Sequence, residues 1–238
     1  MRSRFAGFPP ETLQFFRALA RHNNREWFLP RKALFEEKVK QPMRELVEAL
    51  NGAMASFAPE YATDPAKAIY RIYRDTRFSK DKTPYKDHIA ASFFRSGTGP
   101  HRYGGYYVHV SHKEVAVGGG VYMPEPEVLL AIREHVAANH QKLRKILAAP
   151  AVRRLLGELH GERLTRVPKG FPAAHPAADL LRFKSFILYV NLEPELATTP
   201  QFLTEVLARF RAMKPLLDFL TAPTAKKREK LDPRDLFV

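Results

Sequence analysis

The chain contains no cysteine. A disulfide framework, a thiolate-bound zinc and a cysteine nucleophile are therefore excluded, and the composition suits a reducing compartment. Tryptophan occurs once, at Trp27. No run of 18 apolar residues is present, so no spanning helix is expected. Arg2 and Arg4 stand near the start, but Pro9 and Glu11 arrive before a signal-peptide core could form. The expectations are no membrane insertion and a cytoplasmic location. Several catalytic patterns are also missing. There is no HExxH, no GxSxG, no glycine-rich loop followed by Gly-Lys-Ser/Thr, and no calcium-loop spacing among Asp75, Asp81 and Asp87.

Acidic residues are in short supply. Against 39 Lys+Arg there are 25 Asp+Glu, a formal net charge of +14. Such a surplus draws polyanions: nucleic acid, acidic lipid or phosphorylated small molecules. It also fits a solvated basic surface with no defined site. At 238 residues, 45% of them hydrophobic, the chain can bury a sizeable core.

Helical spacing begins after Pro9-Pro10 with Leu13, Phe16 and Leu19. Asn24 suits the cap of a short helix carrying Trp27 and Phe28, which read as packing residues. Leu34 to Met54 continues in helical period, with Pro42 forcing a kink or restart. From Ala68 the period changes. Ile69 to Arg74, Ile89 to Phe94, Gly104 to Ser111, Val115 to Val117 and Phe183 to Leu192 read as strands. The closely spaced ones favour an antiparallel meander, with His112-Lys113 closing a hairpin. Helices are expected from Val128 to Leu147, from Val152 to Leu159, and from a Thr199 cap onward, with Pro215 kinking the last. The fold class is therefore α+β, a mostly antiparallel sheet of about five strands packed with several helices. One domain is expected over residues 1–222, followed by a basic tail over 223–238.

The densest polar stretch runs from Tyr70 to Lys86. Arg71, Arg74 and Arg77 are spaced three apart, and Lys80, Lys82 and Lys86 follow. Arginine offers a planar fork of donors to phosphate or carboxylate, and lysine a compact charge. Tyr73, Phe78 and Tyr85 supply apolar walls. Strand alternation sends Arg71 and Arg74 to opposite faces, so they converge only if the strand bends, bulges or ends near Tyr73. The candidate ligand-binding residues are Arg71, Arg74, Arg77, Lys80, Lys82, Tyr85 and Lys86. The bland alternative is a basic loop whose own Asp75, Asp81 and Asp87 neutralise its cations. Asp75 and His109 are the nearest acid–base candidates; His109 shares the polar face of its strand with Tyr107.

Gly118-Gly119-Gly120 falls between a strand and a helix. Glu125 and Glu127 at the start of that helix oppose a phosphate there, and close backbone packing is the better reading. Among nine histidines, His101, His109 and His112 lie near one another, and His135 and His140 are five apart, off a shared helical face. No metal site is expected from these spacings, and no pattern names a cofactor or an oligomeric state.

These stretches, His22 to Phe28, Arg71 to Lys86, Gly118-Gly119-Gly120 and His175 to Lys184, resemble a bacterial family of conserved hypothetical proteins, domain of unknown function 2461. The resemblance spans roughly Phe8 to Leu220. It implies a single-domain α/β architecture and a candidate site at 71–86, and brings no activity with it. Three readings follow: a binding protein or enzyme for a phosphorylated or anionic small molecule; a nucleic-acid-binding module using the same cluster with Lys226, Lys227, Arg228 and Lys230; or a scaffold acting through protein partners. No recognised nucleic-acid motif supports the second.

Overall fold

The computed structural model describes residues 5–77, 79–95 and 104–228, with side chains to Pro223. Phe78, His101, Lys230 and the closing Leu236-Phe237-Val238 lie outside the described residues. Four strands form one antiparallel sheet in sequence order: β1 (His88–Phe94), β2 (Gly105–Ser111), β3 (Val115–Val121) and β4 (Phe186–Leu192). The α+β class is as expected, but the strand count is four, not five. Ile69 to Arg74 makes only two isolated antiparallel bridges, Ile69 with Ala91 and Tyr73 with Tyr85.

The chain folds into two compact units. The first comprises Met1–Ser96, Tyr106–Gly118 and Val190–Arg211. Its helices are α1 (Pro10–Arg21), α2 (Arg25–Phe28), α3 (Lys32–Phe35), α4 (Gln41–Met54) and α5 (Pro65–Ala68). Asn24 caps α2 as its side-chain oxygen accepts from the Trp27 amide at 2.9 Å. Between α3 and α4 the backbone widens into a π-helix at Glu36–Lys40, and Pro42 falls in the first turn of α4. The helical backbone runs on from this turn into α4 without a break, and the Lys38 carbonyl, four residues before Pro42, accepts from the Thr12 hydroxyl instead of an amide. One core layer is Phe15, Phe16, Phe28 and Phe35 with Val39, Met43 and Leu46. Tyr106 on β2 stacks on Phe210 at 4.5 Å, and Tyr61 and Phe93 meet this pair edge-on.

The second unit comprises Gly97–Gly105, Gly119–Tyr189 and Ala212–Val238. It holds α6 (Pro126–Ala148), broken by non-helical geometry at Asn139, then α7 (Pro150–Leu156) and α8 (Ala178–Leu181). Here the strand expected to end at Val117 runs on through the glycine run. All three glycines lie within β3 and are buried. Gly120 has φ +136°, and a Cβ on it would overlap the Phe186 carbonyl oxygen. The missing side chain lets two backbones meet, which is packing rather than phosphate binding.

The last helix, α9 (Phe202–Arg228), starts three residues beyond the expected Thr199 cap. Thr199 spends its hydroxyl on the Leu196 carbonyl at 2.9 Å instead of capping it. The helical backbone continues through Pro223, past the expected start of the tail. No helix among the described residues is long and apolar enough to cross a membrane.

Candidate functional site

The bridges around β1 explain why a fifth strand does not form. Ile69 to Tyr73 advances four positions, whereas Tyr85 to Ala91 advances six. The 85–91 side therefore carries two residues more than its partner, and the ladder bulges between Lys86 and Ala90. Amide bonds survive at either end: Tyr70 N–H donates to the Ala90 carbonyl at 2.9 Å, Lys86 N–H to Ile72 at 2.8 Å, and Arg74 N–H to Pro84 at 2.9 Å. Beyond the bulge, Asn23 stands in for a neighbouring strand. Its amide nitrogen donates to the Tyr85 carbonyl at 2.9 Å and its oxygen accepts from the Tyr85 N–H at 3.1 Å.

This geometry sorts the cations of the segment. Arg74 is half-buried and hydrogen-bonded to Asp81 and Thr83. The guanidinium holds the Asp81 carboxyl down at about 2. Arg77 is exposed and grips Asp75 with two nitrogens, at 3.0 and 2.7 Å. That pairing pulls Asp75 below the usual carboxylate range, which suits a counter-ion better than a proton acceptor. Lys82 donates to the Thr76 carbonyl at 2.9 Å, and Lys80 is exposed. Tyr85 is buried, its ring stacked on Phe28 at 4.1 Å. Lys86 sits 5.1 Å above the Tyr70 ring, its pKa lowered by burial and by Arg71. Arg74 and Arg77 are thus each held by a carboxylate of their own loop.

Arg71 differs from the other two. No described residue forms an ion pair with it. It lines a cavity of about 110 Å³ walled by Phe28, Phe35, Ile69, Ile72 and Ile89. Tyr70, Tyr73, Lys32, Glu36 and Lys40 complete the rim. Glu36 is taken by Lys40, whose Nζ lies 2.8 and 3.0 Å from its two oxygens. Lys32, like Arg71, forms no ion pair with a described residue. Three cations against one neutralised carboxylate leave this rim positive. The volume is well short of the roughly 300 Å³ at which drug-sized pockets begin, so it suits one charged group rather than a whole ligand.

Sequence reasoning missed Lys32, Glu36 and Lys40, although a signal was present: the three are four apart, the spacing that stacks side chains on one helix face.

His109 lies apart from the arginine segment, among other titratable groups. It is buried and stacked on His88 at 4.7 Å. His88 Nδ1 is 3.2 Å from Asp87, a contact that holds the Asp87 carboxyl well below its ordinary range. Burial lowers His109 to about 4, with a smaller push from His88. An unfolded imidazole titrates near 6.5. Between these values the unfolded chain binds the extra proton, so the stability is complete above about pH 6.5 and drains away as pH falls toward 4. The urea midpoint should therefore drop between pH 7 and 5. His109→Gln should shrink that drop without abolishing it, since His112 is also depressed by burial. An unchanged drop in the variant would remove His109 as its source.

Among the described residues no group of three or more His, Asp or Glu is placed to hold a metal ion. The fold is that of an α+β protein with a single four-stranded sheet and an irregular, cation-rich segment along β1. The chain belongs to the conserved hypothetical protein family DUF2461, whose match covers residues 11–219. No curated protein matches the chain.

Proposed function

We propose that the protein binds the anionic group of a small molecule, such as a phosphate ester, at the cavity beside Arg71. One observation carries this reading: Arg71 and Lys32 bring unpaired positive charge to an aromatic-walled hollow, while Arg74 and Arg77 are already paired with carboxylates. Guanidinium supplies the directional bonds and Lys32 the point charge. Phe28 and Phe35 give the hollow apolar walls, and the exposed Arg71 and Lys32 stand at its mouth. Net charge favours encounter with any anion, whereas the cavity favours a compact one.

Calorimetric titration with phenyl phosphate and inorganic phosphate tests the idea. Arg71→Ala should weaken phenyl phosphate binding about tenfold or more, as expected for a charged hydrogen bond. Arg77→Ala should leave binding unchanged, because that side chain serves Asp75. Equal losses in both variants would reduce the effect to net charge. The nucleic-acid reading predicts a different salt response. A protein covering about six duplex phosphates loses roughly a thousandfold in affinity from 50 to 200 mM salt, far more than a one-anion pocket.

A further inference from the structure

Side chains two apart on a strand share a face. On β2 this puts Tyr107 and His109 together, opposite Tyr106, Val108 and Val110. The Tyr107 hydroxyl lies 3.0 Å from His109 Nδ1. On the far side of the ring, His109 Nε2 is 3.5 Å from Glu114 Oε1. The β2–β3 turn fixes Glu114: the Ser111 hydroxyl accepts from the Lys113 and Glu114 amides at 3.0 Å and donates to the Glu114 carbonyl at 2.9 Å. Asn191 on β4 donates to the other Glu114 oxygen at 2.5 Å. All of these residues belong to the first unit.

A carboxylate only accepts, and a phenol can donate; in the tautomer that carries its hydrogen on Nε2, toward Glu114, Nδ1 is a lone pair facing the Tyr107 hydroxyl. His109 thus has a carboxylate on one side and a hydroxyl on the other, the order of groups that activates a hydroxyl nucleophile. A 3.5 Å acid contact is long, but such contacts commonly tighten when substrate binds. Tyr107 is half-exposed, so a substrate and then water can reach it.

We infer that Tyr107, His109 and Glu114 form a proton relay that makes the Tyr107 oxygen a nucleophile toward carboxylic esters. The phenolic oxygen bonds to the carbonyl carbon, and its proton moves to His109 Nδ1. The ester's C–O bond breaks, the proton passes to the departing alkoxide, and water later hydrolyses the tyrosyl ester. Tyr107 and His109 are the catalytic residues, and Glu114 is a positioning residue. The charged or titratable groups around His109 are His88 and Asp87 at the start of β1, and Lys113 and Glu114 in the turn. The relay is independent of anion binding beside Arg71.

The test uses p-nitrophenyl acetate and the intact protein. One equivalent of p-nitrophenolate should appear as a burst, with the acetyl group on the Tyr107 peptide by mass spectrometry. Tyr107→Phe should abolish the burst. His109→Gln should slow it at least about a hundredfold, the low end for loss of a positioned base. The wild-type rate should be flat from pH 6 to 8, because His109 is already neutral there. Free N-acetyltyrosinamide, by contrast, should gain about tenfold per pH unit below its pKa near 10. Glu114→Gln, if merely structural, would leave the burst rate untouched; the relay requires it to fall. A burst that survives Tyr107→Phe, or a rate no faster than the free amide in a protein shown to be folded by circular dichroism, overturns the inference.

Discussion

Gly120→Val should leave the protein insoluble or lower its stability by about 4 kcal/mol or more, the range reached only by severe core lesions. Two independent penalties act at this position. Its φ of +136° lies where side-chain-bearing residues are strained. A Cβ would also overlap the Phe186 carbonyl oxygen and lie 2.8 Å from the Ile187 α-carbon. Both obstacles are backbone, so no rotamer change relieves them, and β4 would have to move away from β3. Gly52 is the matched control. It lies in α4, and a methyl group added there would meet nothing within 4 Å, so Gly52→Ala should stabilise by about 0.5–1 kcal/mol. Thermal unfolding of the two variants side by side separates local clash from a general intolerance of glycine replacement.

Phe28→Ala should cost about 3–5 kcal/mol, the usual toll of emptying a buried aromatic site. At roughly 2–4 °C per kcal/mol for a chain this long, the unfolding midpoint should fall by about 6–20 °C. Phe28 is 1% exposed and forms the centre of an aromatic group: stacked on Tyr85, and 5.6 to 6.4 Å from Phe35, Phe15 and Tyr73. It also walls the cavity beside Arg71. The same substitution should therefore weaken phenyl phosphate binding; Tyr73→Ala, which also opens a wall of the cavity but removes a side chain 47% exposed, should cost far less stability. If Phe28→Ala unfolds within a degree or two of the wild type, the aromatic group is not the anchor of this layer.

Much of the fold could be read from local pattern. The alternation of β2 placed Tyr107 beside His109 because strand geometry depends only on sequence parity. The Asn24 cap was visible because its partner is three residues away. The segment from Ile69 to Arg74 was not legible in the same way. Its residues are strand-like in type, but pairing is decided by Tyr85 to Ala91, and the two extra residues there are invisible until both sides are aligned. The candidate site divided along the same line. Sequence picked out Arg71, Arg74 and Arg77 as equals, since local spacing treats them alike. What separates them is whether a loop brings a carboxylate into an ion pair: Asp81 with Arg74, Asp75 with Arg77, and among the described residues none with Arg71, which Asp75 reaches only through its field. Lys32 and Lys40 come from a segment more than thirty residues earlier, so only tertiary structure could bring them to the same rim.

The first compact unit draws on three separate stretches of chain, and the third begins only at Val190. During synthesis its amino-terminal helices and first strands must wait for that last stretch, which contributes Asn191 and Phe210. At about 5–20 residues per second the delay from Gly118 onward lasts several seconds. Throughout that interval Tyr106 and Phe93 lack the ring that covers them. The nascent protein thus has a built-in vulnerable period on the ribosome, and chaperone capture should concentrate on chains halted before Phe210 emerges.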